Sequence, residues 1–170
     1  MTKSETHSPP KTPVTVVKLP RRLAALFYDS LVATALLFIA ATPIVIAFEI
    51  DQTHRLYWIF VLYIYGVLFL YLGWFWTHGG QTIGMKTWRF RLVTQEGRPV
   101  ELPAALRRFA LALVFWVPAG YGVSHLLNGV LWIGVSLTAP VICDYAACVL
   151  RSDRMALHDV LSRTRFIRAP

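Results

Sequence analysis

The sequence predicts an all-α membrane protein with four transmembrane helices. An amphipathic, hairpin-like cytoplasmic loop lies in its middle and a short surface helix near its C-terminus. Three observations carry this fold class. Of 170 residues, 56% are apolar and only 15% are charged, with a mean hydropathy of +0.52, whereas a soluble domain carries about 25% charged residues. Several charge-free runs are long enough to cross a bilayer. The cations, 17 against 9 acids for a net charge of +8, fall almost entirely into alternate loops. The length suits one domain.

Leu31–Phe48 is a run of 18 residues without a charge, and Leu56–Trp76 is one of 21. At ~1.5 Å per residue each can span a hydrocarbon layer of ~30 Å. Phe109–Cys143 also lacks Asp, Glu, Lys and Arg, but as one helix it would be ~50 Å long, so it must be two spans. Asn128-Gly129 is one place for the chain to turn, since both residues tolerate positive φ. Pro118-Ala119-Gly120-Tyr121-Gly122 is the other. The predicted spans are residues 23–48, 56–76, 109–127 and 130–150.

Five cations precede the first span, six lie between the second and third (Lys86, Arg89, Arg91, Arg98, Arg107, Arg108), and five follow the fourth. Only Arg55 falls on the other side. The positive-inside bias therefore places both termini and the central loop in the cytoplasm of a multi-pass protein of the cell inner membrane. The basic excess is accounted for by topology, which excludes nucleic acid as the expected partner. The same cations should rest against anionic headgroups. Tyr57 and Trp58 open the second span while Trp74, Phe75 and Trp76 close it, as aromatic belts do. Trp116 lies mid-span, where packing is its expected role.

Residues 1–20, with Pro9, Pro10, Pro13 and Pro20 among Ser, Thr and Lys, read as a flexible cytoplasmic tail. No cleavable signal peptide is expected, because the first apolar stretch is too long and Asp29 interrupts its start. Cys143 and Cys148 fall in the fourth span at a helical spacing that precludes a disulfide, and burial as small apolar residues is expected of both.

Two carboxylates break the membrane rule. Asp29 and Asp144 each sit seven residues from a flanking arginine, Arg22 and Arg151, or ~10 Å along a helix. An acid at a span centre costs ~3 kcal/mol, less toward the interface. Both are expected at similar depth in the inner half of the bilayer, where they could face one another or share a cation. Arg22 leans toward its helix N-terminus and away from Asp29, so the candidate charge partners are Arg107 and Arg108 at the mouth of the third span. The bland alternative is that the two acids pin helix packing.

Other motifs are weaker. Arg151 to Leu161 can form a surface helix with Met155, Leu157, Val160 and Leu161 on its apolar side, leaving His158-Asp159 solvated. A His-Asp pair alone is half a metal site, and no second cluster stands at suitable spacing; no metal or cofactor is expected. His125 in the third span should face outward, with only weak support for a proton-relay role. Gly79 to Thr87 looks like a phosphate loop, but Met85 stands where the Walker pattern needs Gly before Lys, and no strand precedes it. Trp88, Phe90 and Leu92 then alternate with Arg89 and Arg91, Gln95-Glu96-Gly97-Arg98 turns, and Pro99-Val100 leads out, which reads as a hairpin with one apolar and one basic face. Pro103 starts the helix that carries Arg107 and Arg108.

Taken together, Arg22-Leu23-Ala24-Ala25-Leu26-Phe27-Tyr28-Asp29, Gly80-Gln81-Thr82-Ile83-Gly84-Met85-Lys86 leading into an Arg-rich hairpin with Gly97, and Leu157-His158-Asp159 resemble the RDD family of small bacterial membrane proteins, over residues 19–168. Met85 separates Gly84 from Lys86, which family members commonly have adjacent. The family name denotes one arginine and two aspartates; the resemblance implies Arg22 and Asp29 for the first two, and Asp144 or Asp159 for the third. It further implies a membrane domain over residues 21–168 and transport of a small solute, or exchange of a small cation for a proton. That agrees with two acids in the inner leaflet as a candidate path. Four spans are few for a carrier, so a homo-oligomer is expected. The competing expectation is a non-enzymatic accessory or scaffold protein that binds a partner or anionic lipid. No nucleophile–base pair or cofactor motif points to an enzyme.

Overall fold

The computed structural model describes residues 17–151 and 155–169. Four long apolar helices dominate it, each long and apolar enough to cross a membrane. Helix α1 (Leu19–Phe48) begins with Pro20 in its first turn, where the missing N–H is not needed, and ends at Glu49 in the left-handed region (φ 48°). Helix α2 (Tyr57–Thr77) follows, then the short helix α3 (Ile83–Thr87), strand β1 (Phe90–Thr94) and helix α4 (Leu102–Leu127). The last elements are α5 (Leu131–Leu150), α6 (Leu157–Leu161) and β2 (Thr164–Arg168).

Helix α4 runs unbroken through Pro118 and the chain reverses at Asn128-Gly129, with Gly129 at φ +79°. The glycine tolerates the positive φ that the reversal needs; a proline within a span is tolerated because neighbours can satisfy the freed carbonyl. The expected tail, residues 1–20, overlaps the start of α1. Residues 1–16 lie outside the described residues, but Val17 is buried and Leu19 and Pro20 already belong to α1.

The central segment is not a local hairpin. Its turn forms as expected: Thr94 N–H donates to the Arg98 carbonyl at 2.9 Å, and Gly97 N–H to the Thr94 carbonyl at 2.9 Å. The strand partner, however, is β2 from the far end of the chain, antiparallel and in register from Phe90↔Arg168 to Thr94↔Thr164. After the turn, Pro99 offers no N–H and α4 starts at Leu102, which leaves too little chain to pair locally.

The main buried cluster lies at the end of the bundle where α1 and α4 begin and α2 ends. Ala25 of α1, Trp76 of α2, Met85 of α3, Phe90 and Leu92 of β1, and Ala105 and Phe109 of α4 close it. Elsewhere the large apolar side chains of the spans, such as Phe38, Trp58, Leu70 and Trp132, point outward, as lipid-facing surfaces do. Cys148 is buried but Cys143 is exposed on α5, so only Cys148 behaves as expected; the five-residue spacing between them rotates Cys143 to the outer face.

Helix α3 rests directly on α1 through Gly84. A Cβ there would overlap the Ala25 carbonyl and lie 3.0 Å from the Asp29 carboxyl carbon. Gly84→Ala should therefore lower stability by about 1–3 kcal/mol. Gly66→Ala in α2, where a Cβ meets nothing within 4 Å, should be neutral or slightly stabilising. Thermal unfolding of the two variants in detergent checks the contrast.

Candidate functional site

Two buried arginines meet one carboxylate at the base of the bundle. Arg22 comes from the second turn of α1 and Arg108 from the second turn of α4. Both donate to Asp159 of α6: Arg22 Nη1 to Oδ2 at 2.7 Å and Arg108 Nη1 to Oδ1 at 2.7 Å. Arg108 Nη1 also donates to Thr164 Oγ1 of β2 at 2.6 Å. Both guanidinium carbons lie 4.8 Å from the Phe166 ring centroid, and that of Arg108 lies 5.6 Å from Trp76. The aromatic faces are suited to holding cations in a dry site. Ala156 N–H adds a further donor to Asp159 at 3.3 Å.

Burial raises the Asp159 carboxyl toward the neutral form, but Arg108, His158 and Arg22 together outweigh it and hold its pKa below the usual carboxylate value. Its side chain is fully buried. The charge is stable there because its oxygens are filled by charge-assisted hydrogen bonds.

Asp144 is likewise fully buried, and its partner is His158, the residue before Asp159 in the same short helix. His158 N–H donates to Oδ1 at 2.9 Å, and the ring Nδ1 meets Oδ2 at 2.5 Å. His158 Nε2 lies 3.4 Å from Arg108 Nη2 and 3.4 Å from Asp159 Oδ1, so the two acid–base pairs form one network. Asp29 belongs to a different contact. It accepts from Thr82 Oγ1 at 2.5 Å, from Gly84 N–H at 2.9 Å and from Tyr71 OH at 3.3 Å. It thereby anchors the start of α3, where Thr82 is the N-cap residue and accepts from Met85 N–H.

These contacts revise three expectations. Asp29 and Asp144 are each satisfied by a different segment, α3 and α6, and not by one another. Arg108 pairs with Asp159, while Arg107 is exposed on the other face of α4. Helix α6 is turned over relative to the expected surface helix: His158 and Asp159 are buried, whereas Leu161 is 60% exposed. Apolar periodicity is a poor guide over five residues, and two charged partners waiting in the bundle outweigh it. Residues 152–154 of that segment lie outside the described residues.

The sequence assigns no site role to Thr82, Thr164 or Phe166, reads Trp76 only as part of an interfacial aromatic belt, and leaves His158 in solvent. The available signal was the polar side of the last segment, where His158, Asp159, Ser162 and Thr164 recur at close spacing; Ser162 Oγ donates to the His158 carbonyl at 2.7 Å. His125 sits half-buried at the end of α4, away from the network. Among the described residues, no three His, Cys, Asp or Glu side chains gather to hold a metal ion.

Above the network a cleft of about 650 Å³ opens between α1, α2 and α4. Its walls are apolar and follow α1 from Arg22 to Leu37, a length of ~22 Å. Its polar floor consists of Arg22, Asp29, Arg108 and His158. Asp144 does not line it. Trp76 does, and its buried Nε1–H has no acceptor among the described residues.

Four apolar spans held at one end by a buried ionic network define a multi-pass helical membrane protein. A family model described as the RDD family matches residues 16–163. The chain belongs to the RDD family. Among curated proteins and among solved structures, none matches it significantly.

Removing the shared carboxylate leaves two buried guanidiniums facing one another. Asp159→Asn should cost about 3–5 kcal/mol, read as a fall in Tm in detergent. The pH dependence has a fixed sign. Because the native pKa of Asp159 is depressed, its stabilisation is fully present above its unfolded value of about 3.9 and is lost as pH falls through the native value. Unfolding midpoints between neutral and acidic pH should therefore drop more steeply for the native protein than for Asp159→Asn.

Proposed function

We propose that this chain is a multi-pass protein of a bacterial inner membrane, with both termini and the segment between α2 and α4 in the cytoplasm, and that it serves as a component of small-solute transport. The observation that carries this reading is the cleft, whose apolar walls descend to a polar floor of Arg22, Asp29, Arg108 and His158. Of the described acids, Asp29 is the one that lines the cleft and is the group for a proton or small cation to engage. Asp144 and Asp159 act as positioning residues that hold the floor.

The orientation rests on the distribution of 16 of the 17 cations over the loops of one side. Four spans enclose the cleft on only part of its circumference, so a second copy of the chain completes a path. The proposal assigns no catalytic chemistry. A second reading, a non-enzymatic accessory protein that binds a partner or anionic lipid, is favoured by the exposed cations at the same end, Arg98 and Arg163 among them.

Cation/proton flux into proteoliposomes separates the two. On the transport reading, Asp29→Asn, which keeps an acceptor for Gly84 N–H but loses the one for the Thr82 hydroxyl, lowers flux at least about tenfold, the scale of a single lost charged contact, in protein that is still folded by its unfolding transition. Asp144→Asn lowers both flux and Tm. Flux unchanged in Asp29→Asn would sink the transport reading and leave the accessory one.

A further inference from the structure

A second feature lies outside the cleft, beside the two-stranded sheet. Gln81, Lys86, Arg89, Arg91 and Ala169 line a recess of about 290 Å³. Three of these five residues are cations and none is an acid. Among the described residues none of the three cations has an ion pair, and the buried Nε–H of Arg91 has no acceptor. Four of the described acids are engaged elsewhere: Asp29, Asp144 and Asp159 as described above, and Glu96 with Arg98 and Arg163 at the β1 turn. Three like charges around one recess repel each other unless an anion joins them.

The backbone points the same way. Arg89 adopts φ +53°, a left-handed conformation uncommon for a residue with a side chain. Its carbonyl accepts from Ala169 N–H at 3.0 Å, which closes one wall of the recess. Gln81 is tied to the Phe90 carbonyl through Nε2 at 2.9 Å, so another wall is also held. Lys86 Nζ lies 5.9 Å from the ring of Phe75, in the last turns of α2. The recess therefore sits where a span leaves the hydrocarbon, at headgroup depth.

We propose that Lys86, Arg89 and Arg91 form a binding site for a phosphate group. Planar guanidiniums match phosphate oxygens in pairs, and an ammonium adds a point charge. At this depth the phosphate can come from the phosphodiester of an anionic phospholipid or from phosphate in solution. The site is separate from the cleft and does not depend on the transport reading.

The test uses the full chain in nanodiscs. In one arm, discs of mixed phosphatidylcholine and phosphatidylglycerol are used, and the lipid retained by the protein is read by native mass spectrometry after detergent release. In the other, discs of phosphatidylcholine alone are titrated with inorganic phosphate by calorimetry. The variants are Lys86→Gln/Arg89→Gln/Arg91→Gln, the single Arg91→Gln in case the triple fails to fold, and Arg107→Gln as an exposed charge-matched control. The expected result is a phosphatidylglycerol preference that falls about fivefold per removed cation, survives in Arg107→Gln and weakens with salt. Phosphate binding in the second arm, lost in the same variants, assigns the site to soluble phosphate instead. Equal losses in Arg107→Gln, or no binding in either arm, overturn the proposal.

Discussion

The rest of the structure depends on one constraint: two guanidiniums buried at the base of the bundle need an anion, and the anion is supplied by the end of the chain. Arg22 and Arg108 stand on α1 and α4, and Asp159 reaches them from 137 and 51 residues away. Desolvating those cations costs several kcal/mol each, and only a well-placed carboxylate offsets it. The demand determines where α6 lies. Once α6 is seated, His158 falls against Asp144, Thr164 falls against Arg108, and β2 is delivered to the edge of β1 in a single register. Phe166, carried on β2, then covers both guanidiniums.

The acids in the first and last spans serve the same end by a different route. Each uses its oxygens to hold a non-spanning segment. Asp29 collects the N-cap hydroxyl and a backbone N–H of α3, and Gly84 allows that helix to approach α1 closely enough to do so. Asp144 collects the backbone and ring of His158. A carboxylate near the edge of a span is expensive when idle and economical as an acceptor, because loops that pack there bring donors that water cannot supply. The result is a rigid polar base beneath an open apolar cleft.

Much of this was legible locally. The runs from Leu31 and Leu56, the overlong stretch from Phe109, and the turn at Asn128-Gly129 locate the four long helices, because hydropathy and turn chemistry belong to the residues themselves; α1 and α4 begin four and seven residues before the expected spans. Asp29 and Asp144 stood out for the same reason. The expected surface helix at Leu157–Leu161 failed because its five residues are too few for periodicity to outweigh a buried ion pair. The expected hairpin failed because Pro99 offers no N–H and α4 starts at Leu102, so the partner strand comes from β2 at the far end of the chain. Arg107 and Arg108 are adjacent and chemically alike; only the rotation of α4 decides which of them is buried.

By itself, then, the sequence determined that this is a four-span membrane protein, which end of it is basic, and which carboxylates are out of place. Each follows from the transfer free energy of individual residues or from short-range chain geometry. The tertiary structure alone decided the partners: Asp159 with Arg22 and Arg108, Asp144 with His158, Asp29 with Thr82 and Gly84, and β1 with β2. The physical reason is distance along the chain. Desolvation makes a buried charge demand a partner without saying where that partner comes from, and here it comes from residues 14 to 137 positions away.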